Sequence, residues 1–143
     1  MPKAGLGKIH PLFHQRKDLM KLRLGMSPIS WTNDDLPQLG IDTPLSVCLS
    51  ETREAGFVGT ELGGKFPVDA AGLSTVLAEY DLALVSGWYS GTLINNTLDD
   101  ELERIQGQLA LFKACNASVI VYGETYNTVQ DKQNKPLSTR PKL

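Results

Sequence analysis

Glu61 is the residue in this chain best placed for acid/base chemistry. It lies in the otherwise apolar run Val58-Gly59-Thr60-Glu61-Leu62, four residues before Lys65, the only lysine between Arg23 and Lys113. A carboxylate inside a strand is costly when unpaired, so its presence implies a partner, a metal or a task. Glu61 and Lys65 either form an ion pair that holds the following loop or act as ligand-orienting or acid/base groups. On the second reading they are the candidate catalytic residues. Glu124 occupies the matching place after a later apolar run, with the same two readings. Trp31, Phe66, Trp88 and Tyr89 each follow the end of such a run. Aromatic faces suit the C–H face of a sugar or cyclitol ring, while nearby lysine and carboxylate groups hydrogen-bond its hydroxyls. The alternative is ring packing under rim loops. With Glu124, these four aromatics are the candidate substrate-binding residues.

Missing residue types narrow the chemistry further. No histidine falls between Lys17 and Leu143, so no Ser-His or Cys-His pair can be built there, which speaks against a nucleophilic hydrolase. A histidine-containing metal site cannot be completed in these runs either, and no metal ligand is assigned. His10 and His14 stand four apart, but Pro11 interrupts them and carboxylates are lacking nearby. Cys48 and Cys115 have no metal-type spacing and are expected to be reduced and buried.

Strands and helices must position these groups. Leu22 to Ile29 reads as a first strand. Thr43 and Pro44 then supply an N-cap and a proline at the first helical position, opening a helix with Leu45, Cys48, Leu49 and Thr52 on one face. Gly56 stops it. Val58 to Leu62 is the second strand, and Asp69 caps a helix in which Leu73, Val76, Leu77 and Tyr80 share a face. Leu82 to Ser86 is the third strand. Thr97 and Asp100 resemble a capping box for a helix whose Leu98, Leu102, Ile105, Leu109 and Phe112 form the longest apolar stripe. Ser118 to Tyr122 is the fourth strand.

Strict alternation of strand and helix predicts parallel pairing with right-handed crossovers. No glycine-rich turn comes after the first strand, which speaks against a dinucleotide-binding sheet and favours a barrel. A complete barrel needs about 250 residues and eight strands. The fold class expected is therefore α/β, a parallel half-barrel comprising the first four strands of a TIM (β/α)8 barrel. Residues 1–19 read as an appended basic, disordered extension, 20–124 as the half-barrel, and 125–143 as a truncated loop or linker. Its open sheet edges are expected to favour aggregation or association.

Charge excludes some partners. The 143 residues carry a net charge of −2, but residues 1–23 hold six Lys or Arg against one acid. Between Leu24 and Gln130 there are 14 acids and only four bases. So acidic a body argues against nucleic acid as the main partner. No apolar run reaches the roughly 20 residues needed to span a bilayer, and no secretory h-region is present, so no membrane partner is expected and the reading is cytoplasmic.

Four strings carry a family resemblance: Ser27-Pro28-Ile29-Ser30-Trp31-Thr32-Asn33-Asp34-Asp35, Gly59-Thr60-Glu61-Leu62-Gly63-Gly64-Lys65-Phe66-Pro67, Val85-Ser86-Gly87-Trp88-Tyr89-Ser90 and Val121-Tyr122-Gly123-Glu124-Thr125. Together they resemble the myo-inosose dehydratases, hydro-lyases among the xylose-isomerase-like barrels, over residues 20–143. The resemblance implies myo-inositol catabolism, in which water is removed from 2-keto-myo-inositol to give a trihydroxycyclohexane-1,2-dione. It also implies Co2+ or Mn2+ and glutathione, a small cyclitol as the partner, and metal ligands on later strands that this chain does not contain. The expectation is an inosose dehydratase-like chain, inactive alone. Two alternatives stand beside it: a sugar or cyclitol isomerase or epimerase of the same superfamily, and a non-enzymatic polyol-binding half-barrel that needs a partner chain.

Overall fold

A computed structural model of the protein describes residues 22–129, 134–136 and 138. The extension expected over residues 1–19, its two histidines and most of the segment after Val129 lie outside the described residues. Four strands, β1 (Gly25–Met26), β2 (Gly59–Leu62), β3 (Ala83–Gly91) and β4 (Val121–Glu124), alternate with helices α1 (Leu45–Glu54), α2 (Ala70–Glu79) and α3 (Leu98–Ala114). All neighbouring strands pair in parallel, in the order β1-β2-β3-β4. Right-handed crossovers in that order put every helix on one face of the sheet. The core bears this out: Leu49 of α1, Leu73 and Leu77 of α2, Phe112 of α3 and Leu84 of β3 form one buried cluster with Phe66 and Leu82. The result is the α/β half-barrel expected, with the other face of the sheet left for a site. Among the described residues no helix is long and apolar enough to cross a membrane.

Several boundaries differ from those the sequence suggests. The first strand is only two residues long, because Pro28 has no N–H for a ladder and begins a 3-10 turn over Pro28–Ser30. Pro44, not Thr43, takes the cap position of α1, with ψ 149°. Thr43 is held outside the helix: its N–H donates to the Gly40 carbonyl at 3.0 Å, and its own carbonyl accepts from Lys65. Asp69 and Thr97 cap α2 and α3 as expected, accepting from the Gly72 and Asp100 N–H groups at 2.8 and 3.2 Å. The third strand runs five residues beyond Ser86, because β4 pairs with its far half, Trp88 to Gly91, while β2 pairs with its near half. That stagger also moves the fourth strand to Val121–Glu124, later than the Ser118–Tyr122 expected.

The apolar stripe of α3 is the largest departure. Phe112 is buried, but Leu98 is 61% exposed and Leu102 48% exposed. The helix is turned so that Glu101, Gln108, Leu111 and Phe112 face the sheet. Glu101 is buried, Gln108 donates to the Trp88 carbonyl at 3.0 Å, and Leu111 packs on the core.

Candidate active-site cleft

A break in strand register builds the site. Thr60 pairs with Leu84 but Glu61 pairs with Ser86, so Val85 is an extra residue with no partner on β2. Before this bulge, Leu84 points to the helices and Val85 to the opposite face, where its methyl groups crowd Gly25 and Gly59. After it, the alternation is inverted. Gly87 faces Phe112 of α3, and Ser86 and Trp88 turn to the helix-free face beside Glu61. An unbroken strand would have sent Ser86 and Trp88 towards the helices.

On that face the Ser86 hydroxyl donates to Glu61 Oε1 at 2.7 Å. Glu61 Oε2 has no hydrogen-bond donor among the described residues. The Trp88 indole is 54% exposed and its Nε1 donates to Ser90 Oγ at 2.9 Å, which fixes the ring. It lies across Gly123, where a Cβ would come within 2.1 Å of the ring. Only glycine permits that approach. A cleft of about 340 Å3 opens here, bounded by Pro28, Ile29, Asn33, Asp34, Asp35, Glu61 and Trp88. Its volume lies in the range of small-molecule sites, and an aromatic face beside several carboxylates is the chemistry of polyol recognition.

The polar lip of the cleft is a folded loop. Asn33 Oδ1 accepts from the Asp35 and Leu36 N–H groups at 2.9 and 3.0 Å, an Asx turn that orients this acidic stretch. Asp34 Oδ2 accepts from the Gly64 N–H at 2.9 Å, joining the lip to the loop after β2.

Of the residues singled out in the sequence, Glu61 and Trp88 come together in the cleft. The others are placed elsewhere. The Trp31 indole N–H donates to Glu51 of α1. Lys65 Nζ donates to the carbonyls of Gly40, Ile41 and Thr43 at 2.9, 2.9 and 2.6 Å, and forms no ion pair with Glu61. Phe66 is 5% exposed and belongs to the core. Tyr89 faces the helix side and stacks on Tyr122, with ring centroids 5.7 Å apart. Glu124 accepts from the Ile94 and Tyr126 N–H groups at 3.2 and 2.8 Å, so both its oxygens are taken up by backbone. Asn33, Asp34, Asp35 and Ser86 belong to the four strings but were not singled out. A run of three polar residues after the first strand was the available signal for the lip. Ser86 carried none, because its orientation depends on the bulge.

A second acid site was missed altogether. Glu101 of α3 is 4% exposed, and accepts from the Thr92 N–H at 3.3 Å, Tyr122 Oη at 3.2 Å and Arg104 Nη1 at 3.2 Å. Burial works against its charge, but these hydrogen bonds and the Arg104 cation outweigh it and hold the carboxyl below its ordinary value. On the other side of the pair, burial and the neighbouring Glu101 charge push the Tyr122 phenol up.

No family model matches the chain. Curated relatives do. The rhizopine catabolism protein MocC of Rhizobium meliloti is 47% identical over 128 residues, which cover 90% of this chain and 39% of MocC. An inosose dehydratase of Mesomycoplasma hyopneumoniae is 40% identical over 119 residues, 83% of this chain, and one of Geobacillus thermodenitrificans is 37% identical over 117, 82% of this chain. The chain is homologous to the inosose dehydratases and MocC. It spans 39% of the length of each of these three relatives. The resemblance carried by the four strings therefore extends over most of the chain, and all four strings fall on the strands and loops around the cleft and the β4 end.

Co2+ or Mn2+, which the resemblance implies, finds no fit among the described residues. No three His, Cys, Asp or Glu side chains converge closely enough to hold a metal ion there. Asp34 is tied to Gly64 and Glu61 to Ser86, so the carboxylates of the cleft are spread along its walls.

Proposed function

We propose that the chain carries the polyol-facing part of an inosose dehydratase, acting on 2-keto-myo-inositol to give a trihydroxycyclohexane-1,2-dione by loss of water. The observation that supports this most is the pairing of Glu61, with one carboxylate oxygen free among the described residues, and the exposed Trp88 ring on one face of a cleft of about 340 Å3. Trp88 takes the C–H face of the cyclitol. Asn33, Asp34 and Asp35 receive its hydroxyl groups at the lip. Glu61 Oε2 is the base for the proton next to the ketone, with Ser86 holding Oε1 so that the carboxylate keeps one orientation. The elimination is completed when the β-hydroxyl leaves with a proton as water.

Turnover in the relatives belongs to a length of which this chain spans 39%. We therefore propose that the chain by itself binds the ring without converting it. Titration with 2-keto-myo-inositol, followed by tryptophan fluorescence, is expected to saturate in the wild type and to lose its response in Trp88→Ala. Incubation with Co2+ or Mn2+ and glutathione is expected to yield no dione. Absence of binding would sink the reading of the cleft, and clear turnover would overturn the inactivity. A parallel titration with a rhizopine decides between the two compounds in the relatives' names.

A further inference from the structure

We propose that Lys65 is a positioning residue for the cleft: its ammonium clasps the segment Gly40–Thr43 and so holds Asn33, Asp34 and Asp35 over the face that carries Glu61 and Trp88. The inference rests on the polyol reading of that cleft and goes beyond it. Three backbone carbonyls, from Gly40, Ile41 and Thr43, converge on Nζ at 2.6 to 2.9 Å. Carbonyl dipoles that point at one spot repel one another unless a cation fills it. A lysine ammonium has three N–H donors, and all three are engaged here, so none is left for a ligand hydroxyl or ketone unless a clasp bond breaks.

The neighbouring residue grips the other end of the same loop. Gly64 donates its N–H to Asp34 at 2.9 Å, so two consecutive residues after β2 fix both the start and the base of the lip. The Asn33 N–H, just before Asp34, donates to the Leu39 carbonyl, just before Gly40, at 3.2 Å and closes the loop on itself. Gly40 has φ +77°, and a Cβ there would come within 1.8 Å of the Trp31 carbonyl oxygen, so the loop is tightly pressed where Lys65 holds it. Lys65 thus acts through the lip and not on the reacting atoms.

Two independent measurements test this. In Lys65→Ala, hydrogen exchange at residues 33–43 is expected to accelerate while exchange at Leu77 and Leu84 in the core stays slow. The dissociation constant for 2-keto-myo-inositol is expected to rise about tenfold, the scale of a lost charge-assisted hydrogen bond. Added propylammonium, which replaces the deleted atoms, is expected to restore both. Lys65→Gln, which keeps an N–H donor, serves the same comparison where the alanine variant does not fold. Weakened binding with unchanged exchange at 33–43 would make Lys65 a direct ligand contact and overturn the proposal, as would a variant in which neither changes. A wild-type chain that binds no cyclitol would sink the polyol reading alone, since the exchange data judge the clasp without any ligand.

Discussion

Glu61 lies on the sheet and Glu101 on a helix that covers it, and their surroundings make these two carboxylates opposites. Glu101 is buried between α3 and the end of β4, with donors from Thr92, Arg104 and Tyr122 on both of its oxygens. Glu61 is half-buried on the helix-free face, with Ser86 on one oxygen and the other unengaged among the described residues. A saturated carboxylate fastens elements together and has nothing to offer a ligand. One held by a single donor keeps a lone pair available for a proton or a hydroxyl. Availability of the second oxygen, more than burial or sequence context, separates the two roles.

Stability and binding measurements probe the two acids separately. The largest effect is expected on the anchoring side, where Phe112→Ala removes the α3 ring that packs under Gly87 and should lower unfolding stability by about 3–5 kcal/mol in urea titration. A loss below about 1 kcal/mol would show that α3 is not anchored through this ring. Next comes the pH response of Glu101. Its folded carboxyl titrates below the ordinary 4.5, so its contribution to stability is complete above 4.5 and is lost as pH falls from there through the lower folded value. Urea titrations on both sides of that pH should therefore show a steeper acid loss for the wild type than for Glu101→Gln; equal slopes would mean that the network does not favour the charged form. The smallest effect on stability is expected for Glu61→Gln, about 1 kcal/mol or less, since one hydrogen bond from Ser86 is at stake. For cyclitol binding the ranking reverses, with Glu61→Gln about tenfold weaker and Glu101→Gln near wild type. Should Glu101→Gln weaken binding as much, the two acids would not differ in role.

Much of the scaffold was legible in the sequence. Caps at Asp69 and Thr97, the buried face Cys48, Leu49 and Thr52 of α1, and the parallel alternation all arise from local rules that the structure obeys. The features that escaped depend on neighbours far along the chain. Apolar periodicity in α3 picks out Leu98 and Leu102, yet the helix rotates to bury Glu101, because Thr92 and Tyr122 supply donors that no window around residue 101 contains. Aromatic residues after strand ends suggested one rim of four rings. Only Trp88 lines the cleft, since the extension of β3 places Trp88 and Tyr89 inside a strand, on opposite faces. Lys65 looked like a partner for Glu61 at four residues' distance, but the turn at Gly63 and Gly64 carries it to the carbonyls of another loop.

The unmatched Val85 makes the cleft sensitive to the relative lengths of β2 and β3 as well as to their composition. Inserting one residue between Thr60 and Glu61 would give Val85 a partner, restore an uninterrupted ladder and reverse the facing of both strands beyond it. Glu61, Ser86 and Trp88 would turn into the helix layer and Gly87 out of it. Every residue named in the cleft would still be present in the polypeptide, in the same order, and the cleft would be gone. Deleting Val85 would instead close the bulge and leave Ser86 and Trp88 facing as they do now. Substitution scanning cannot expose such a dependence; a single-codon insertion can.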